Sequence, residues 1–548
     1  MELKLKQISS LEKIFPCGIG DVKDIYHKTL MKGENFSYQI AIEVKENMKF
    51  TFSVASPLKD HIELYAVRNI ISDYPTYADA DEDYLAKTPT LIPDMLVQIT
   101  DEKDFICLSN EASSLWVRVK VPEDIDAGEY PVSVTVSATD PITTTETTLK
   151  ITLDVINATL PKQEIKFTQW FHTDCIASVH NVEIYSEEHW DLIDKYMALA
   201  YDLGLNMLLT PVVTPPLDTA IGHHRPCTQL VRIEKKGAEY LFDFSLLERW
   251  INLCIKNNIT YFEISHLFTQ WGLKHAPNIK VTENGEESFM FGWHTDSHSE
   301  EYKDFLTQFV PALIDFLDSM GVKDRCWFHV SDEPLLEHIP AYTYAQNILT
   351  PLLKGCPTFD AISNYDFYET GLIKNPVVST NHIEPFIEND VKNLWAYYCC
   401  AQYKDVGNRF LAMPSYRNRI LGLQLYKYNA VGFLQWGYNF YFSQFSLKKI
   451  NPYITTSCEK AFPSGDSFSV YPTDNGVVPS LRGLIFKEAL EDIEKCRVLE
   501  GFIGRDKVIE MIDNAAGMNI TFSQYPRNPE FIPELIEKIE LMIKSYTA

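Results

Sequence analysis

The chain has 548 residues, of which 45% are hydrophobic and 13% aromatic, and a formal net charge of −26. That length exceeds one compact core, so two or three domains of a well-packed globular protein are expected. The acidic balance repels phosphate backbones and anionic headgroups, so neither nucleic acid nor a membrane is expected as a partner.

No stretch reaches transmembrane length, and MELKLKQISSLEKIF at the start lacks the apolar core of a signal peptide, so a cytoplasmic location is expected. The 11 cysteines are scattered without paired CxxC spacing, as free thiols in a reducing compartment would be. Cys399 and Cys400 are neighbours and read as a strand end rather than a redox site.

Up to Leu160 the pattern is β. FSYQIAIEV (36–44), MKFTFSV (48–54) and LWVRVKV (115–121) alternate apolar and polar residues, the period of half-buried strands. AGEYPVSVTVSA (127–138) sets a turn before a strand, and TTLKITLDVI (147–156) supplies another. This spacing predicts an antiparallel β-sandwich over residues 1–160, an accessory domain without clustered catalytic residue types.

From Pro161 strands alternate with helices. IKFTQWFH (165–172) is the first strand. Ser186 caps a helix with Trp190, Ile193, Met197 and Ala200 at helical spacing, and Gly204 ends it. Strands follow at 205–213, 259–268 and 325–334, separated by helices at 244–257 and 300–320. A helix near 341–354, strands near 359–366, 376–382 and 393–399, a helix near 414–428 and the strand at 431–441 complete the alternation. Eight strands predict a (β/α)8 TIM-type barrel over 161–502, closed by a helix at 478–502. Residues 503–548 read as a C-terminal helical extension packed on the barrel, which makes the whole a multidomain α/β protein.

Active sites of such barrels lie at the C-terminal strand ends. Those ends here carry Trp170, His172, His266, Trp271, His329, Asn364, Tyr365, His382, Tyr397, Trp436, Tyr438 and Asn439. Aromatic faces stack on sugar rings while amides and imidazoles bind hydroxyls, so the set predicts a pocket for a small glycoside or oligosaccharide. Strand four ends WFHVSDEP, with Asp332 and Glu333 side by side. One reading is a helix N-cap with an acidic first turn, favourable at the helix dipole. The other is catalysis, because cleaving a glycosidic bond needs a carboxylic acid to protonate the leaving oxygen. Strand seven, NLWAYYCCAQ, contains no acid, which argues against a second protein carboxylate as nucleophile. An adjacent Asp–Glu pair suits substrate-assisted catalysis instead: a 2-acetamido group attacks its own anomeric carbon, Asp332 orients it, and Glu333 moves the proton.

No cofactor is expected. The spacing of His294, Asp296 and His298 could present metal ligands, but the segment reads as a polar loop, and no metal is assigned. No P-loop, G-x-G-x-x-G or G-x-S-x-G is present, which removes nucleotide-binding and serine-hydrolase classes. The alternatives are a carbohydrate-binding protein without catalysis, a scaffold whose rim is an interaction surface, and a glycosidase for a different sugar.

FEISHLFTQWG (262–272), FGWHTDSHSEEY (291–302), WFHVSDEP (327–334), LWAYYCCAQ (394–402), the segment 408–441, FPSGDSFSVYP (462–472) and PSLR (479–482) together resemble glycoside hydrolase family 123 and the related domain-of-unknown-function family 4091. The resemblance implies a β-N-acetylgalactosaminidase-like enzyme with an N-terminal sandwich and a barrel, acting through the substrate's acetamido group. It implies Asp332 as the acetamide-orienting residue and Glu333 as the acid/base.

Overall fold

A computed structural model of the chain describes residues 2–100, 105–140 and 143–547. The N-terminal region forms two five-stranded sheets. One orders Leu3–Ser9, Asn35–Val44, Ala112–Lys120, Ile62–Ser72 and Thr90–Gln98; the other orders His27–Lys32, Thr144–Thr159, Gly128–Thr139, Met48–Ala55 and Phe105–Cys107. All pairs are antiparallel except His27–Lys32, which runs parallel to Thr144–Thr159. The alternating sequence is expressed directly: along Gly128–Thr139, Val132, Val134, Val136 and Ala138 are buried and the residues between them are not. They share one apolar core with Tyr38, Ile40 and Val117 of the other sheet.

The second region is a curled parallel sheet of eight strands. In chain order they are Lys166–Gln169, Met207–Thr210, Tyr261–Ile264, Cys326–Phe328, Asp360–Ile362, Pro376–Ser379, Trp395–Tyr398 and Gly432–Gln435, here numbered strands one to eight. Their spatial order is four, three, two, one, eight, seven, six, five. The two outer strands approach each other: Phe328 and Thr358 form a parallel bridge, and Phe328 N donates to Pro357 O at 2.9 Å. Strands two, six, seven and eight are buried at every residue, because helices cover one face and side chains fill the other. Gly432 permits this packing; a Cβ there would lie 2.2 Å from the Trp395 ring.

The helices fall where their signals stand. Ser186 accepts from His189 N and starts Glu187–Asp202, and Gly204 follows in the left-handed region at φ 92°. Ser245–Lys256, Glu300–Ser319, Ile339–Leu352, Tyr416–Lys427 and Leu481–Ile503 match the remaining apolar stripes. Two hairpins, Arg232–Lys236 with Glu239–Asp243 and Ile279–Glu283 with Glu286–Phe291, join into a separate four-stranded sheet that the strand–helix alternation did not anticipate.

The last helix, Phe531–Thr547, does not pack on the second region alone. Lys28 Nζ on a sheet strand donates to Glu537 Oε2 at 2.8 Å, and Lys544 reaches Asp154. The helix also presents Glu540 to Lys495, 3.1 Å away on Leu481–Ile503, so it ties the two regions together.

Candidate active site

A cavity of about 350 Å³ opens at the C-terminal ends of the parallel strands. Trp170, Tyr397 and Trp436 stand at the ends of strands one, seven and eight, and Asp332 and Glu333 follow strand four. Trp271 closes one side with its ring against Phe445, centroids 5.9 Å apart. The loops are zipped together by backbone bonds: Phe268 N to Val330 O at 3.0 Å and Trp271 N to Asp332 O at 3.2 Å.

The Asp332–Glu333 pair is not a helix cap. A short turn, Leu336–His338, intervenes before the helix begins at Ile339. Glu333 has φ 45°, a left-handed conformation that an unbranched glutamate adopts only when its surroundings impose it. Three more lining residues share it: Asp218 at 39°, Trp271 at 57° and Phe445 at 59°. Tyr397 OH donates to Glu333 Oε1 at 2.6 Å. Burial pushes the Glu333 carboxyl up, and this hydrogen bond pulls it back. Asp332 is 6% exposed, and no described residue donates to its carboxylate. Burial and the adjacent Glu333 charge push Asp332 well above the usual carboxylate range.

Beneath the pair lies a buried charged network. His329 bonds Asp360 through Nδ1 at 2.9 Å and Glu263 through Nε2 at 2.6 Å. A neutral imidazole donates from one nitrogen only, so two carboxylate partners define an imidazolium. Burial alone would lower the His329 pKa, but the two acids outweigh it and push it up to about 9. Glu263 also accepts from Trp170 Nε1 at 2.7 Å and from Thr168, which fixes the indole in the cavity wall. Asp360 accepts from Val330 N at 3.1 Å and from Tyr342, which pins the segment leading into Asp332. His266 stacks on His329 with centroids 4.0 Å apart. Burial and the His329 charge drive the His266 pKa down, so a neutral ring lies over a cation.

The structure therefore separates the strand-end residues into three groups. Trp170, Trp271, Tyr397 and Trp436 line the cavity with Asp332 and Glu333. His266 and His329 lie under it, fully buried, as framework. His172, Tyr438 and Asn439 are turned away from it. Tyr438 stacks on Phe171 and donates to Tyr196 O, while Asn439 bonds the His172 backbone on both sides. His172 itself contacts Trp436 O and Arg225. Asn364, Tyr365 and His382 do not line the cavity either: Tyr365 packs on Phe386, and exposed His382 bonds Ser379 and Asn381. Strands five and six are followed by turns that carry these side chains past the opening.

Strand-end reasoning reaches Gln270, just beyond strand three, but not the lining residues Asp218 and Phe445. Asp218 and Phe445 come from long loops, and Phe445 N donates to Asp218 Oδ2 at 3.0 Å. Burial raises the Asp218 pKa to about 6. Gln270 lines the cavity with Oε1 buried and without a partner among the described residues, an acceptor free for a ligand donor. Asp466 accepts from Trp436 Nε1 at 2.8 Å and holds that ring as Glu263 holds Trp170. Acids interrupting apolar strands, Glu263 in YFEI and Asp360 in DAI, were legible signals. The N-terminal region also braces this wall: Tyr77 packs on Tyr403 at 4.7 Å, Arg417 Nη1 donates to Asp81 at 2.7 Å, and Asp73 accepts from Ser457 at 2.6 Å.

Among the described residues, His266, His329 and Asp360 bring three metal-ligating atoms within 4.8 Å of one another. Their geometry does not fit a metal. The two rings lie parallel within 10°, so their in-plane lone pairs do not converge, and both His329 nitrogens face carboxylates.

The sequence of residues 170–499 matches the family model for the glycoside hydrolase 123 catalytic domain, and residues 27–138 match the model for the glycoside hydrolase 123 N-terminal domain. A family 123 glycoside hydrolase from Clostridium perfringens, solved to detail glycolipid glycan hydrolysis, has a similar fold. It is 16% identical, with 100% of this chain and 98% of that chain covered, at a TM-score of 0.75. β-Glucuronidases from Bacteroides uniformis (12% identity, 81% of this chain and 47% of that one, TM-score 0.30) and Parabacteroides merdae (10%, 89% and 51%, 0.32) superpose too loosely to carry an argument. No curated protein matches the chain.

Proposed function

This chain belongs to glycoside hydrolase family 123, and we propose that it removes terminal β-linked N-acetylhexosamine, N-acetylgalactosamine above all, by substrate-assisted retaining catalysis. The observation that carries the reading is the arrangement of the acid pair: Asp332, a buried carboxylate without a donor among the described residues, beside Glu333, which Tyr397 aims from across the cavity. In this reading the acetamide N–H of a bound sugar donates to Asp332. That bond favours ionised Asp332, and repulsion within the pair then keeps the shared proton on Glu333. Glu333 protonates the leaving oxygen while the acetamide oxygen attacks the anomeric carbon. Water, deprotonated by Glu333, opens the oxazoline-type intermediate. Trp170, Trp271 and Trp436 supply faces for the sugar ring and Gln270 an acceptor.

A second reading is favoured by Asp218, a third acid on the cavity wall. With Asp218 as base or nucleophile, the enzyme would follow a two-carboxylate scheme and accept sugars lacking a 2-acetamido group. A panel of aryl β-glycosides separates the two. The substrate-assisted reading expects turnover only of N-acetylhexosaminides, with Asp218→Asn retaining retention of configuration. Equal turnover of galactosides or glucosides would overturn it.

The rim suggests the aglycone. Trp271 is 45% exposed, and Leu335, Leu336, Ile221 and Leu447, all in loops that carry lining residues, are exposed as well. Such an apolar collar suits an amphiphilic substrate, a glycolipid headgroup being the form consistent with the Clostridium perfringens relative. We read the curled sheet as a closed (β/α)8 barrel, supported by the Phe328–Thr358 bridge, with the N-terminal sheets as a β-sandwich. Domain limits at 160 and 502 are placed accordingly. A cytoplasmic location is supported by 11 unpaired thiols, and activity found in culture medium without lysis would contradict it.

A further inference from the structure

Cys399 and Cys400 belong to the cavity, not only to a strand end. Both line it, both are partly exposed, and they are consecutive in the chain. They follow Tyr397 and Tyr398 on strand seven, so the pair begins two residues beyond the hydroxyl that holds Glu333. The Cys399 backbone is held on both sides, its N–H by Gln402 Oε1 at 2.8 Å and its carbonyl by Asn408 Nδ2 at 2.9 Å. Nothing in the hydrolytic scheme uses a thiol.

We propose that Cys399 and Cys400 form a reversible oxidation site for hydroperoxides, closing to a disulfide between neighbours that disturbs Glu333 and stops turnover. In this scheme Cys400 attacks, and Cys399, whose thiol its neighbour Cys400, burial and the nearby Glu333 all push up, resolves. Its thiolate attacks the peroxide, the O–O bond breaks, and water or an alcohol leaves. The sulfenic acid so formed on Cys400 is attacked by the Cys399 sulfur: the S–S bond forms, the S–O bond breaks, and water leaves with the Cys399 proton. The two thiols lose two electrons and the peroxide gains them.

Consecutive Cα atoms are about 3.8 Å apart, whereas a relaxed disulfide spans roughly 4.4–6.8 Å. Ring closure therefore requires the backbone at the end of strand seven to shift, and the resulting bond is readily reduced. The shift reaches the Tyr397 hydroxyl and, through it, Glu333.

The coupling to turnover rests on the proposed acid/base role of Glu333, but the oxidation itself is read without activity. Trypsin releases residues 393–404, a peptide whose only cysteines are this pair. After hydrogen peroxide treatment of the full-length protein without reductant, that peptide is expected to be lighter by two hydrogens, with the loss reversed by dithiothreitol. Turnover of an aryl N-acetylgalactosaminide is expected to fall at least tenfold with the same time course and recovery. Cys400→Ser, measured against its own untreated activity, is expected to keep most of it. An unchanged peptide mass overturns the site, as does equal inactivation of Cys400→Ser. A mass change with full activity overturns the link to Glu333. If the peptide oxidises but the enzyme hydrolyses no N-acetylhexosaminide before treatment, the functional reading fails and the oxidation site stands.

Discussion

The N-terminal sheets and the parallel sheet each enclose side chains of near-zero exposure, but they bury different things. The core between the N-terminal sheets is Val132, Val134, Val136, Leu153 and their neighbours, apolar throughout. The parallel sheet encloses Glu263, His266, His329 and Asp360, each 0% exposed. Charges in a protein interior give up hydration that their mutual attraction does not fully return, so a buried ion network is poor evidence of a stability function. Here its members hold one cavity wall, Trp170, and the backbone leading into the Asp332–Glu333 pair. The contrast teaches where to look: the region that departs from an economical core is the one that carries the chemistry.

The comparison breaks most visibly at Glu333. Glu333→Gln keeps the side-chain shape but removes the transferable proton, so kcat on substrates with poor leaving groups should fall about 10³-fold, and far less on an aryl substrate that needs no protonation. Equal losses on both substrates would show that Glu333 is not the acid. Asp332→Asn should follow with a loss of about 10²-fold, the order of one well-placed electrostatic contact, seen on N-acetylhexosaminides in single-turnover experiments.

His329→Gln tests the network itself. Leaving Glu263 and Asp360 buried without their cation should cost roughly 3–5 kcal/mol of stability. The wild type should also show a pH signature. The folded His329 pKa of about 9 lies above the ordinary 6.5, so its contribution is fully present below pH 6.5 and is lost as pH rises through 9. That alkaline decline amounts to ~3 kcal/mol. Urea titrations across this range should show it in the wild type and not in His329→Gln; parallel profiles would mean that His329 is neutral in the folded protein.

Much of this architecture is legible in the sequence, and the remainder fails for identifiable reasons. Period-two alternation located the N-terminal strands, and Ser186 and Gly204 located both ends of a helix, because these signals are local. The hairpin sheet was missed although its turns are marked: Asn284–Gly285 and Gly237 have positive φ, as tight hairpins require. At the strand ends, residue type predicted the pair Asp332–Glu333 and four cavity aromatics. It could not predict which way a strand-end side chain turns. Successive residues point to opposite faces of a sheet, so Trp170 enters the cavity while Phe171, the next residue, stacks on Tyr438 behind it. Asp218 and Phe445 arrive on loops whose paths depend on tertiary contacts, and no periodicity announces them.

Tyr397→Phe gives a smaller effect with a defined sign. The hydroxyl donates to the Glu333 carboxylate and so favours its ionised form. Removing it should raise the Glu333 pKa. A hydrogen bond to a charged group contributes about 1.5 kcal/mol or more, which corresponds to about one pH unit. The alkaline limb of kcat/KM should move up by that amount while the rate at low pH changes little. A limb that stays in place would detach Tyr397 from the titrating acid.

The smallest expected effect on catalysis is in the other region. Val134→Ala opens space in the apolar core between the N-terminal sheets, where Val134 is 0% exposed, and should cost roughly 1–3 kcal/mol. The N-terminal region touches the cavity wall through the segment carrying Asp73, Tyr77 and Asp81, not through this core. Activity per folded molecule should therefore match the wild type, while the urea midpoint falls. If kcat/KM dropped together with stability, the apolar core would be coupled to the site, and the brace at Tyr77 would be the element to test next, because its ring packs on Tyr403 beside the cavity wall.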